Sequence, residues 1–114
     1  MTIKYSRGPV DARATVTDTT LTTCIAAQDA LIRTVLESIT LTNSSATAVT
    51  VNILDGATVR WTFPVPAGGG VVFQWKHGLR GTKATAWKFQ SSASANAIVC
   101  CMEGHIEPVP VSQQ

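Results

Sequence analysis

Residues 63–75 read FPVPAGGGVVFQW. This stretch decides between two classes of fold. A glycine cluster ahead of a helix would set backbone N–H groups and a helix N-terminus around a phosphate. Here Gly68–Gly70 run directly into Val71-Val72-Phe73-Gln74-Trp75, and Val71, Phe73 and Trp75 alternate with Gln74 and Lys76. That is a strand period rather than a helix period. The glycines are therefore expected to turn the chain, with Pro64 and Pro66 marking where the preceding strand leaves its sheet.

The same period extends in both directions. Val49, Val51 and Ile53 alternate with Thr50 and Asn52, and Asp55-Gly56 suits a tight turn. Val59, Trp61 and Phe63 alternate with Arg60 and Thr62 on the return, which predicts a hairpin. Downstream, "HGLRG" (77–81) interrupts the strand of 71–76. Thr85, Trp87 and Phe89 then alternate with Ala86 and Lys88, "SSASAN" turns, and "AIVCCME" (97–103) is a nearly continuous apolar strand. Upstream, "TLTTCIA" (20–26) reads as a short strand. In "ALIRTVLESITLTN" (30–43), Val35, Ile39 and Leu41 share a parity, but Glu37 falls on it and Leu36 off it. One extra residue near Glu37-Ser38 restores the alternation, so a long bent strand with a bulge is expected.

Seven to eight strands with turns every 8–12 residues and no helix predict an all-β fold: an antiparallel β-sandwich, jelly-roll or Ig-like. Residues 19–103 form the sandwich domain. Residues 1–18, broken by Gly8-Pro9, and 104–114, with prolines at 108 and 110, read as extended N- and C-terminal arms. Val51, Ile53, Trp61, Phe63, Phe73, Trp87 and Val99 are expected in the core.

The chain has 114 residues and fits one domain. Charged residues are 14%, against about 25% in ordinary soluble domains. A Thr-rich surface with so little charge suits a protein partly covered by neighbours. The net charge is +2, but no acid lies between Asp55 and Glu103, an interval holding Arg60, Lys76, His77, Arg80, Lys83 and Lys88. That asymmetry suggests a basic face toward an acidic partner.

The three cysteines, Cys24, Cys100 and Cys101, are an odd number for a disulfide framework. The N-terminal stretch lacks an apolar h-region and no apolar run reaches the ~20 residues of a membrane span. Synthesis in a reducing cytoplasm with free thiols is expected, with no membrane role. On the same ground Asn43-Ser44-Ser45 is discounted as a glycosylation site.

Chemistry finds little support. Glu103, His105 and Glu107 would share one face of a strand, a pattern that orients an imidazole but more often forms a solvated edge. His77 has no acid nearby in sequence. Adjacent Cys100 and Cys101 point to opposite faces of a strand and lack metal-site spacing. Each tryptophan falls in phase with an apolar neighbour, which favours packing over nucleic-acid stacking. No enzymatic activity, cofactor, metal or direct nucleic-acid role is expected.

The runs "ESITLTNSSATAVTVNILDG" and "FPVPAGGGVVFQW" resemble small β-sandwich structural proteins of tailed bacteriophages and gene-transfer particles. Ile39–Ser45, Val49–Ile53, Pro66–Val72 and the strand 93–99 carry the resemblance, which covers roughly residues 20–103. It implies a virion role: a capsid decoration (cementing) protein, or a neck or tail accessory, without catalytic residues. It also implies a homo-oligomer, as a trimer, docked on a major capsid protein or another virion protein. The candidate contact residues are Val10, Arg60, Trp75, Lys76, His77, Arg80, Lys83, Lys88, Ile106, Val109 and Val111. The alternative is a carbohydrate- or receptor-binding module of a tail, fibre or head-spike accessory. That reading expects an exposed tryptophan, with Trp75 beside Lys76 and His77 the foremost candidate.

Overall fold

The computed structural model describes residues 8–95 and 97–109. Eight strands follow one another: β1 (Gly8–Val16), β2 (Thr22–Ile25), β3 (Ile32–Asn43), β4 (Val49–Asp55), β5 (Thr58–Val65), β6 (Gly70–Arg80), β7 (Trp87–Ser91) and β8 (Ile98–Pro108). No helix occurs among the described residues. One sheet has the order β1-β8-β3-β6 and the other β2-β7-β4-β5. Strand 1 pairs with 8, 2 with 7, 3 with 6 and 4 with 5, all antiparallel. Such nested pairing is a long hairpin rolled into two sheets, so the sandwich is a jelly roll rather than Ig-like.

The core lies between the sheets. β4 contributes Val49, Val51 and Ile53; β3 contributes Leu36, Ile39 and Leu41; β8 contributes Ile98, Cys100 and Met102; β7 contributes Trp87 and Phe89. Trp87 is fully buried, and its indole N–H donates to the Thr34 carbonyl at 3.1 Å. Val99 is half-buried rather than core, because Ile98, Cys100 and Met102 take the inward parity of β8. An apolar run with no alternation did not reveal which parity faces in.

The bulge expected near Glu37 is present. β3 shifts register between Leu36 and Ser38 against both β6 and β8. Glu37 is the extra residue, exposed, while Leu36 and Ile39 both stay buried. A second bulge lies between Ile53 and Leu54, where Trp61 opposes Ile53 but Val59 opposes Leu54. Arg60 is the extra residue there. Val59 is thereby flipped off the face of Trp61 and Phe63, contrary to the simple alternation.

The turns answer to their glycines. Gly56 takes φ +64° in the two-residue β4–β5 loop, a value that an L side chain rarely adopts. Gly68 also takes φ +64°, and the Gly69 N–H donates to the Pro66 carbonyl at 3.2 Å, closing a tight turn. The glycine cluster thus turns the chain. The two segments that carry the phage-protein resemblance meet here. The Asn43 side-chain amide donates to Thr47 and Pro66 carbonyls at 2.9 and 3.3 Å. The Gly68 N–H donates to Ser45 O at 2.9 Å, and the Asn43 N–H to Gly69 O at 2.8 Å. Asn43 is a buried clip between two turns and not an open glycan acceptor.

The arms are shorter than expected. Residues 8–16 form the edge strand β1, paired along its whole length with β8, and Val16 is in the core. Residues 104–108 continue β8, and Val109 is buried with its N–H donating to Leu31 O at 2.9 Å. Backbone pairing to β3 and β8 holds these segments although their apolar density is low. Residues 1–7 and 110–114, with Val111, lie outside the described residues. The 77–81 stretch does not end its strand either. β6 bulges there and resumes pairing at Leu79 and Arg80.

Candidate functional site

β5 and β6 are the edge strands of their sheets on one side of the sandwich. In the interior, side chains of two sheets interdigitate across about 10 Å. At this edge no further strand completes the packing, and large rings fill the gap. Trp61 and Phe63 of β5 meet Phe73 and Trp75 of β6, with ring centroids 5.2–6.5 Å apart. Trp61 and Trp75 stand edge-to-face at 5.7 Å and 89°, an orientation that brings a positive ring edge to a negative face.

Trp75 lies beneath the cluster at 9% exposure, whereas Trp61 at its mouth is 39% exposed. The sequence-based roles of the two are therefore exchanged: Trp75 is not the exposed tryptophan, and Trp61 is not core. Parity is correct for both, since both face inward. Depth is what differs, because an inward face at a sheet edge is only partly covered. Val59 (50%) and Val72 (79%) add exposed apolar surface on the same two strands. The Trp75 indole N–H is buried without a hydrogen-bond partner. Such an orphan donor is uncommon in a closed interior.

Lys76 and His77 follow Trp75 on β6, exposed and without an ion-pair partner among the described residues. The other expected cations behave differently. Arg60 is half-buried. Its guanidinium lies 3.4 Å from Asp55 Oδ2, donates to Arg80 O at 3.0 Å, and sits 5.8 Å over the Trp87 ring. Arg60 thus braces the fold and is not free to steer a partner. The buried Asp55 also accepts from the Thr82 hydroxyl at 2.7 Å and from the Thr82 N–H. Arg80 lies 3.4 Å from Glu107. Lys83 is half-buried in the β6–β7 connection, and Lys88 on β7 opposes Leu54 in the other sheet. The sandwich separates these residues onto different surfaces, leaving Lys76 and His77 as the pair beside the aromatic edge. Val10 and Ile106 are half-buried within β1 and β8.

Glu37, His105, Glu107, Arg33 and Arg80 form a charged network on the sheet of β3, β6 and β8. His105 Nδ1 is 2.9 Å from Glu37 Oε2, and its Nε2 is 3.7 Å from Glu107. Glu107 binds Arg33 at 2.7 Å. Burial pushes the Glu107 carboxyl up, but the hydrogen bond and charge of Arg33, with Arg80 and His105 nearby, outweigh it and hold the carboxyl below its usual range. Glu37 rather than Glu103 is the first partner of His105; only the β3 bulge brings it there. The ring nitrogens of His105 meet carboxylates alone among the described residues, so no hydroxyl or thiol is poised beside this base. No group of three metal-ligating side chains occurs among the described residues. Across the same sheet, Asp11, Glu37, Gln74 and Glu103 line an acidic groove.

No protein-family model matches the chain, and comparison with curated proteins finds no match. Solved structures do match in fold. A chain from the structure described as "Bacillus endospore appendages form a novel family of disulfide-linked pili" superposes with a TM-score of 0.55 at 16% identity, covering 94% of this chain and 92% of that one. A chain of the cyanophage Pam1 capsid asymmetric unit superposes with a TM-score of 0.44 at 14% identity, covering 91% and 86%. At these identities the likeness is one of fold.

Proposed function

We propose that this protein is a non-enzymatic structural subunit that assembles with copies of itself and with a larger shell, as a capsid decoration protein of a phage-like particle. The aromatic β5–β6 edge carries the reading: two open sheet edges flanked by exposed Trp61, Val59 and Val72, with an unpartnered indole N–H beneath. An open edge with apolar flanks is where another chain adds a strand or packs its own rings. The Bacillus endospore appendages of similar fold are pili, which agrees with a structural role. The trimer and the virion location rest on the phage-protein resemblance in residues 20–103.

Two measurements test this. Sedimentation velocity of the purified protein should find a discrete oligomer that Trp61→Ala combined with Val59→Ser dissociates while circular dichroism stays unchanged. A monomer at every concentration would overturn self-assembly. Mass spectrometry of purified particles from the producing cells should find the chain as a stoichiometric component. Its absence from them would overturn the virion assignment.

A second reading has one observation in its favour. Trp61 is exposed within reach of the strand carrying Lys76 and His77, an arrangement on which a sugar ring stacks. Tryptophan fluorescence titrated with oligosaccharides separates the two. Saturable quenching lost in Trp61→Ala supports the carbohydrate module.

A further inference from the structure

The opposite side of the sandwich, where β1 lies over β2, holds two buried cysteines, the thiol of one against the backbone of the other. Cys24 lies on β2 and Cys100 on β8, in different sheets, and both are buried. The Cys24 thiol reaches across the core. It donates toward the Cys100 carbonyl at 3.5 Å and lies 3.6 Å from the Ala12 carbonyl. All three cysteines are free. Cys101, the neighbour in sequence, has the opposite parity and stands half-buried on the outer face of its sheet, opposite Arg13 and Thr40.

We infer that Cys24 and Cys100 form a latent inter-sheet disulfide site, closed by a low-molecular-weight disulfide such as oxidised glutathione once the protein leaves a reducing compartment. With its sulfur 3.5 Å from the Cys100 carbonyl oxygen, Cys24 lies close enough to the Cys100 backbone for the two side chains to be bridged. The chemistry is directional. The neighbouring Cys100 lowers the Cys24 thiol against the effect of burial, whereas Cys24 and burial together raise Cys100. Cys24 is then the attacking sulfur. Its thiolate, after losing a proton to solvent, displaces one glutathione thiolate and forms a mixed disulfide. The Cys100 sulfur, losing its own proton, attacks Cys24 and releases the second glutathione. Two cysteine thiols are oxidised, one disulfide is reduced to two thiols, and one inter-sheet bond forms.

The location gives both access and consequence. β2 has only four residues and pairs with β7 alone. Opening it exposes Cys24 without unfolding the β3–β8 centre, since such short edges open locally. The bridge would span 76 residues of sequence. A loop of that length strongly constrains the unfolded chain. It would also fasten the shortest strand of the sandwich to the opposite sheet.

The test uses the full chain, oxidised with glutathione disulfide under native conditions, then denatured and alkylated without reductant. Fragment-ion mass spectrometry should find Cys24 joined to Cys100 and Cys101 alkylated. The same bridge should form in Cys101→Ala. The oxidised protein should melt higher by at least about 5 °C, and reductant should reverse the gain. Three alkylated thiols after oxidation would overturn the site. So would a stable glutathione adduct on Cys24, a Cys24–Cys101 bond, or covalent dimers through Cys101 with Cys24 and Cys100 still alkylated. Fragment ions of the unmutated chain assign the bridge even if Cys100→Ala fails to fold.

Discussion

On the β1–β2 side the sheets approach each other through small side chains: Ala12, Ala14 and Cys24, whose thiol lies against the Ala12 backbone. On the β5–β6 side four aromatic rings stand between the strands, and Trp61 and Val59 reach solvent. One margin closes by proximity and the other by bulk. A small-residue margin lets the two edge strands approach each other directly. A ring-filled margin leaves its outermost ring half-covered. The same difference separates Trp87 from Trp61, since both point inward but one has strands on either side and the other has a strand on one side only.

That contrast can be broken by four measurements. Trp87→Ala should have the largest effect, destabilising the protein by about 3–5 kcal/mol in urea unfolding. It loses a fully buried ring, the bond to Thr34 O and the contact with Arg60. Trp61→Ala should cost less, about 1–2 kcal/mol, because part of its surface already faces water. A loss equal to that of Trp87→Ala would make the β5–β6 margin as closed as the core. Ala14→Leu on the tight margin should cost about 1–2 kcal/mol by overpacking, whereas Val72→Leu on the open margin should stay within about 0.5 kcal/mol. Equal effects in this pair would remove the distinction between the margins.

A further small effect concerns pH, and it probes the charged network on the sheet of β3, β6 and β8. The folded Glu107 carboxyl sits below the usual carboxylate range, held there by Arg33 and Arg80. A depressed acid stabilises the fold fully above its unfolded pKa, and the contribution fades as pH falls through the folded value. The wild type should therefore lose a little stability below about pH 4.5, under about 1 kcal/mol because burial of the carboxyl offsets part of what Arg33 and Arg80 contribute. Glu107→Gln should lack this acid limb in chemical unfolding. An unchanged limb in the variant would assign it to other carboxylates.

Much of the architecture was legible in local pattern. The β4–β5 hairpin, the Gly68 turn and the Glu37 bulge all followed from alternation and its interruption, because a strand's two faces meet different solvents. Failures occurred where alternation was absent or where a bulge left no apolar mark. Val99 sits in a run with no polar residue to fix parity. The bulge at Arg60 carries a residue that looks like an ordinary outward position, so Val59 was grouped with Trp61. Residues 8–16 and 104–109 looked like arms because their backbone hydrogen bonds, not their apolar content, hold them to the sheet.

The candidate surface was legible in composition but not in placement. Six basic or imidazole-bearing residues between Asp55 and Glu103 suggested one face. Rolling the hairpin instead delivered Arg60 to Asp55 and Arg80 to Glu107 and put Lys88 in the other sheet. Which tryptophan reaches solvent depends on which strand ends a sheet, and strand order comes from pairing distant in sequence. That this protein is built of antiparallel strands, and where most of them turn, can be read along the chain, since period and turn chemistry act over a few residues. Long-range pairing made β5 and β6 the open edges, set Trp61 rather than Trp75 at their mouth, and brought the Cys24 thiol to the Cys100 backbone. Those contacts join segments up to 76 residues apart, and depth at an edge is a property of what is missing beside a strand rather than of the strand itself.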